Sequence, residues 1–238
     1  MKLRHIYICI INLCLSWGVL GQTEVDSLST AQERKYPLRL RVGADAFRLI
    51  RSQVDPDYQG LELVGDLQIT DQLYLAAELG SERYSQTAEN TSFTSGGNYL
   101  RLGVDLNLFK NWKGMDNNIL LGLRFSNSLH RQQVNRYSLY TLHHYWLERQ
   151  TREGYATGER TGLNTNWIEF LVGIKVEIFP NLYNCFSFRM HRMMGNTTPN
   201  NFDNLWVPGF NKVTDENRFG GSFNYSVIYR LPLRNRRP

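Results

Sequence analysis

Ser187 and His191 stand four residues apart in FSFRMHRM, and serine with histidine is the pair from which a nucleophile and its general base are made. The segment alternates, however, with Phe186, Phe188 and Met190 on one side and Ser187, Arg189 and His191 on the other, which is the period of a β-strand. Four residues along a strand separate side chains by about 13 Å, whereas proton transfer needs roughly 3 Å. This pair is therefore not a catalytic dyad, and His191 is expected as an interior polar residue near one rim of the fold. His143 and His144, in LYTLHHYWLERQ, would need further ligands to hold a metal, and the sequence supplies none at a recognisable spacing. They are expected as exposed residues of an external hairpin. Cys185 lies in a strand-like region without a basic partner and is expected as a small buried hydrophobe. There is no glycine-rich phosphate loop, no HExxH and no CxxC. No catalytic, cofactor-binding or metal residue is assigned, no cofactor is expected, and the protein is not expected to be an enzyme.

The elements that carry these residues are strands. NWIEFLVGIKVEIF, residues 166–179, sets Ile168, Phe170, Val172, Ile174, Val176 and Ile178 against Trp167, Glu169, Gly173, Lys175 and Glu177, with Leu171 the exception on the polar side. It exceeds the usual five or six residues of a strand and matches the roughly 9–11 of a tilted membrane-crossing one. About eight such segments follow one another. They are Leu38 to Phe47, Gln59 to Thr70, one starting at Leu73, Asn98 to Phe109, one starting near Asn118, 166–179, one through FSFRM, and Phe219 to Leu231. No stretch carries a convincing 3.6-residue apolar stripe, so the fold is expected to be all-β.

The amino terminus explains how such a chain reaches a membrane. MKLRH is basic, IYICIINLCLSWGVLG is apolar but short, and polar chain follows, which is the anatomy of a secretory signal peptide cleaved after Gly21. Cys14 does not mark a lipoprotein, because Leu13 precedes it where a small residue is needed. Cys9 and Cys14 leave with the signal, so Cys185 alone remains and no intrachain disulfide is possible. The expected organisation is a signal at 1–21, a polar linker at 22–36, a barrel at 37–233 and a basic tail at 234–238. Loss of Lys2 and Arg4 reduces the formal charge of +5 by two. What remains is dispersed, so a nucleic-acid partner is not expected despite a pI of about 9.1. The mean hydropathy of −0.42 does not argue against a membrane, since alternating strands average their two faces.

Connections give an independent signal. Those between the second and third and the sixth and seventh segments are tight, the latter through Pro180-Asn181. The fourth-to-fifth, KNWKGMDN, is modest, and the remaining four are longer. Short turns at one end and long loops at the other are the habit of outer-membrane barrels, and a periplasmic amino terminus puts every long loop outside. The connection from Arg131 to Leu163 is too long for a structureless loop, so its strands are expected to rise beyond the membrane and turn near Gly154. Tyr137, Leu139, Tyr140, Tyr145 and Trp146 there either pack on neighbouring loops or meet a partner or glycan. In NTTPNNFDNLWVPGFN the Asn and Asp side chains are expected to order the loop while Trp206, Val207, Pro208 and Phe210 pack over the barrel mouth. Asn196-Thr197-Thr198 fits a glycosylation sequon, which carries no weight in a bacterial export context.

A soluble barrel would alternate equally well with its apolar face inside. Inversion is favoured because the polar face mixes Gly and Ser with Arg39, Arg41, Asp45, Glu62, Asp66, Glu78, Arg101, Asp105, Arg124, Glu169, Lys175, Glu177 and Arg189. Arginine interleaved with carboxylates fits a packed ionic interior, where charges persist only in pairs. Eight strands enclose a lumen that side chains can fill, so no open pore is expected. Outward aromatics at Phe219, Phe223, Tyr225 and Tyr229 fit a terminal strand recognised by the barrel-assembly machinery, and Trp112, Trp167 and Tyr183 are candidates for interfacial girdles. Together NWIEFLVGIKVEIF, the Pro-Asn turn, FSFRM and FDNLWVPGFN resemble a family of Bacteroidota outer-membrane β-barrels, domain of unknown function 6048. That resemblance implies location and fold, and it assigns no activity or functional residue.

The expectation is thus an eight-stranded antiparallel up-and-down transmembrane β-barrel with a polar, side-chain-filled interior, in the outer membrane of a Gram-negative-type bacterium. Its partners would be outer-membrane lipid, the assembly machinery during insertion, and whatever its external loops contact. Two rivals stand beside it. One is a lipid-modifying barrel enzyme, which needs a Ser and a His in reach across neighbouring strands, and the other is a secreted soluble barrel binding an apolar ligand.

Overall fold

Antiparallel pairing closes eight strands into a barrel in the computed structural model, which describes residues 39–88, 91–110, 115–137, 157–198, 204–212 and 218–232. In chain order the elements are β1 (Leu40–Asp45), α1 (Ala46–Val54), β2 (Tyr58–Gln68), β3 (Leu73–Thr87), β4 (Thr91–Asn107), β5 (Asn118–Tyr137), β6 (Gly158–Phe179), β7 (Leu182–Asn196), β8 (Trp206–Val207), β9 (Asn211–Lys212) and β10 (Phe219–Leu231). Around the barrel the order is β1-β10-β7-β6-β5-β4-β3-β2, so each stave but the closing pair neighbours its successor in the chain. The two-residue strands β8 and β9 form a separate small hairpin. The signal, linker and basic tail expected from the sequence lie outside the described residues, as do Trp112, His143, His144 and Gly154.

Local chemistry fixes the tight end. Thr70 Oγ1 accepts from Gln72 N and Leu73 N and so closes the β2–β3 turn. Asn181 takes a left-handed φ of 69° after Pro180 to close β6–β7, a conformation asparagine tolerates better than most residues. Below them, Asp116 gathers Arg39, Arg230 and the Tyr183 hydroxyl at the same rim.

The opposite end departs from the expected plan in two places. The third-to-fourth connection is almost entirely strand, since β3 runs to Thr87 and β4 begins at Thr91. The first segment does not continue as strand to Phe47. Asp45 turns its side chain onto the backbone N–H groups of Phe47 and Arg48, capping a nine-residue helix that occupies the connection to β2.

The walls are inside-out relative to a soluble barrel. Leu63, Leu75, Leu79, Leu102, Leu123, Phe125, Val172, Ile174, Phe186 and Phe223 are exposed on the outer face, while Glu62, Asp66, Glu78, Arg101, Asp105, Arg124, Glu169, Lys175 and Arg189 are buried within. On β6 the outward apolar run from Ile168 to Ile178 corresponds to an apolar band about 25 Å tall once strand tilt is included. Polar Asn98, Asn127 and Asn166 mark its upper edge, and β3 to β6 rise beyond it. Trp167 and Tyr183, candidates for the girdle, instead point inward and are fully buried. Their parity explains this: Trp167 alternates with Glu169, and Tyr183 with Cys185 and Ser187, so both belong to the lumen face. Glu177 is also corrected, since it is half-buried at the tight-turn rim beside Arg230 and outside the central core.

Candidate functional site

Apart from the Asp116 rim cluster, chemically capable side chains converge in the lumen, and β-strand parity puts them there. Arg101 on β4 holds Glu62 at 2.6 Å, Glu169 at 2.8 Å and Glu78 at 3.2 Å. Arg189 on β7 reaches Glu78 and Glu169, and Arg124 on β5 joins Asp105 to Glu78. Arg48, from α1, contacts Glu82 at 2.8 Å, Glu62 at 3.0 Å and Asp45 at 3.3 Å, and donates to the Tyr58 hydroxyl. Nearer the tight turns, Arg41 and Lys175 share Asp66. These six cations face seven carboxylates, so the lumen is close to neutral and is not a selective field for one sign of ion. Between the ionic layer and the tight turns lies an apolar cluster of Leu120, Leu171, Tyr183, Cys185 and Ile228, which confirms Cys185 as a buried small hydrophobe. A cavity of about 40 Å³ remains there, room for a water or two.

The 204–212 loop seals the far side. Val207 and Phe210 pack against Tyr99, Trp167 and Met193, and Trp206 packs with Phe93 and Val134, so the aromatics expected over the mouth enter it. The loop's backbone is bound to the core: Arg101 donates to Gly209 O at 2.9 Å, Glu82 accepts from Gly209 N at 2.9 Å, and Ser95 Oγ donates to Trp206 O at 2.7 Å. Gly209 sits at φ 83°, and a Cβ there would meet the Tyr99 ring at 2.8 Å. Gly209→Val should therefore release the loop at a cost of about 1–3 kcal/mol. Acrylamide quenching of the Trp206 fluorescence component, obtained by difference from Trp206→Phe, should rise in this variant.

His130, in the part of β5 above the apolar band, is buried against this loop. Burial pushes its pKa down to about 4, with Asn204 and the Ser128 backbone opposing weakly. It is therefore neutral in the folded state, while the unfolded chain takes up its proton near pH 6.5. The stability it supports is complete above that pH and is lost progressively as the pH falls from about 6.5 toward 4. The same Trp206 quenching should increase over this window and stay flatter in His130→Gln.

Ser187 and His191 do not meet, as strand spacing required. His191 instead places Nε2 at 2.9 Å from Ser222 Oγ on β10, a diagonal neighbour across the β7–β10 ladder, and Nδ1 at 3.3 Å from Glu169. This Ser222–His191–Glu169 alignment was invisible in the sequence because it depends on inter-strand register. It has the order of a nucleophile, base and orienting acid. Yet Glu169 already accepts from Arg101, Trp167 Nε1 and Ser126, and the Phe210 ring packs at a tilt against the imidazole, 5.7 Å between ring centres. Among the described residues no group of His, Cys, Asp and Glu side chains could hold a metal ion.

Comparison with known proteins adds the following. No curated protein matches the chain. Among solved structures it is similar to Ail, the attachment invasion locus protein of Yersinia pestis, with 7% identity, a TM-score of 0.42, and coverage of 82% of this chain and 97% of that one. It is also similar to a major outer membrane protein from Thermus thermophilus, with 13% identity, a TM-score of 0.41, and coverage of 82% and 100%. The family described as Domain of unknown function (DUF6048) matches residues 3–236, nearly the whole sequence, and the chain belongs to that family.

Proposed function

We propose that this protein is an integral outer-membrane β-barrel of a Gram-negative-type bacterium, delivered by a signal peptide at 1–21 and inserted by the barrel-assembly machinery. Its lumen is structural, and its working surface is the external end. The observation that carries this is the inverted burial: a continuous outer band of Leu, Ile, Val and Phe around a buried ionic core. In water that arrangement would expose the grease and desolvate the charges, whereas in a bilayer both faces are matched. The filled lumen argues against a pore, which leaves a structural role or contact through the loops and raised strands. Membrane fractionation with gel mobility before and after boiling tests the assignment. An outer-membrane, heat-modifiable band is expected, and a detergent-free soluble protein without a mobility shift would overturn it.

A second function, acyl-ester cleavage on membrane lipid, is favoured by one contact, that of Ser222 with His191. Here Ser222 Oγ would attack the ester carbonyl, its proton passing to His191 and then to the departing alkoxide, and water would clear the acyl-enzyme by the reverse transfers. A fluorophosphonate probe that labels the barrel and fails to label Ser222→Ala would support it. Absence of labelling, with an unchanged lipid A mass spectrum on gene deletion, would eliminate it.

A further inference from the structure

The barrel wall is incomplete as a sheet. β1 pairs with β10 only as far as Asp45↔Ser226 and with β2 only as far as Ala44↔Leu63. Beyond those points β10 continues to Phe219 against β7, and β2 continues to Tyr58 against β3, each without a strand on its β1 side. A slot one strand wide therefore opens between β2 and β10. Its level is that of the outer half of the apolar band, because exposed Phe223 and Leu61 flank it.

α1 begins at the foot of that slot and fills it. Nine helical residues span about 13 Å, close to the rise of the β2 segment alongside. Ser52 takes part of the place of the missing strand: its Oγ accepts from Gly60 N at 2.8 Å and shares its one proton between Arg48 O at 2.8 Å and Gly60 O at 3.1 Å, capping the open β2 edge. One turn earlier, on the same side, Arg48 enters the lumen and is held by Glu82, Glu62 and Asp45. The polar face of the helix, Gln53 excepted, is thus turned to the protein. Its opposite face carries Phe47, Ile50 and Val54, spaced i, i+3 and i+7, with Ile50 59% and Val54 77% exposed. A helix on a water-facing surface shows the reverse polarity. At the carboxyl end Arg51 pairs with Asp55 and lies over the Tyr58 ring, returning the chain to polar surroundings just above.

We infer that α1 is part of the transmembrane wall, and that Phe47, Ile50 and Val54 lie against the acyl chains of outer-leaflet lipid in the slot that β1 leaves open. The inference rests on the outer-membrane assignment and deepens it, since the apolar face of α1 continues the apolar band of the strands beside it. Lipid would contact a helix here where it contacts strands around the rest of the barrel.

Site-directed spin labelling of the mature protein, from which Cys9 and Cys14 have left with the signal, tests it in phosphatidylcholine vesicles, in a Cys185→Ala background with folding checked by heat-modifiable mobility. Labels go on Ile50→Cys, on Val172→Cys as a band control, and on Arg131→Cys as a water-exposed control. The expected result is an oxygen-to-nickel-chelate accessibility ratio at Ile50→Cys several-fold above that at Arg131→Cys and matching Val172→Cys. A water-like ratio at Ile50→Cys with a lipid-like one at Val172→Cys would overturn the inference and leave the outer-membrane assignment standing. A water-like ratio at both would overturn the two together.

Discussion

Arg101→Met should unfold the barrel under conditions in which the wild type is intact, with a loss of about 3–5 kcal/mol. Arg101 is fully enclosed, and its removal leaves Glu62, Glu78 and Glu169 around an apolar side chain. Arg48 and Arg189 still touch these carboxylates, yet neither can supply the guanidinium that lies between three of them. The penalty comes from uncompensated buried charge more than from the pair's own attraction, so it should be reversible by removing charge. Adding Glu62→Gln and Glu169→Gln to Arg101→Met is expected to recover a large part of the loss. Urea titration of the heat-modifiable band measures all three proteins. If Arg101→Met alone were neutral, the ionic layer would not be the core.

Val172→Arg should impair insertion by about 2–4 kcal/mol, because Val172 faces outward near the middle of the β6 apolar run. The same change at Leu129, which lies above the Asn127 boundary, should cost only about 0–1 kcal/mol, because an interfacial arginine keeps its hydration. Folded yield into vesicles, scored by gel mobility, reads the difference. A soluble barrel would treat both positions alike, so equal yields would count against the membrane.

Much of this architecture was legible from side-chain parity. The inner sets Arg101–Asp105, Arg124–Ser126 and Glu169–Lys175 could be assigned to one face strand by strand, because a period of two leaves no freedom once one face is apolar. Parity also contained the correct position of Trp167, since it alternates with Glu169; the girdle expectation used chain position where face was decisive. α1 was hidden for a different reason. Ala44 and Ala46 prolong the strand pattern, and nine residues with apolar groups on the outer face read as well in either period until the Asp45 cap and Arg48 anchor are seen. The loop was recognisable as ordered from its aromatics, but its descent into the lumen depends on Glu82, Ser95 and Arg101 arriving from distant strands. The Ser222–His191 contact likewise required register, which no single strand encodes.

The ionic layer also dictates how the protein must assemble. Several of its links are long in sequence: Arg101 to Glu62 spans 39 residues, Lys175 to Asp66 spans 109, Arg189 to Glu78 spans 111, and the Asn224 to Asp45 hydrogen bond beside them spans 179. Some inward charges pair within one hairpin, as Arg41 does with Asp66 and Arg124 with Asp105, but Glu62, Lys175 and Arg189 draw partners from strands further round the barrel, so a growing sheet carries part of its charge unpaired until those strands arrive. Contacts of such separation make folding slow, and charges that must be matched before they meet hydrocarbon make a half-closed sheet in the bilayer costly. On the outer-membrane assignment proposed above, closure and insertion would be bound into one cooperative event, with the charges that stabilise the finished barrel opposing release of an unfinished one into the membrane.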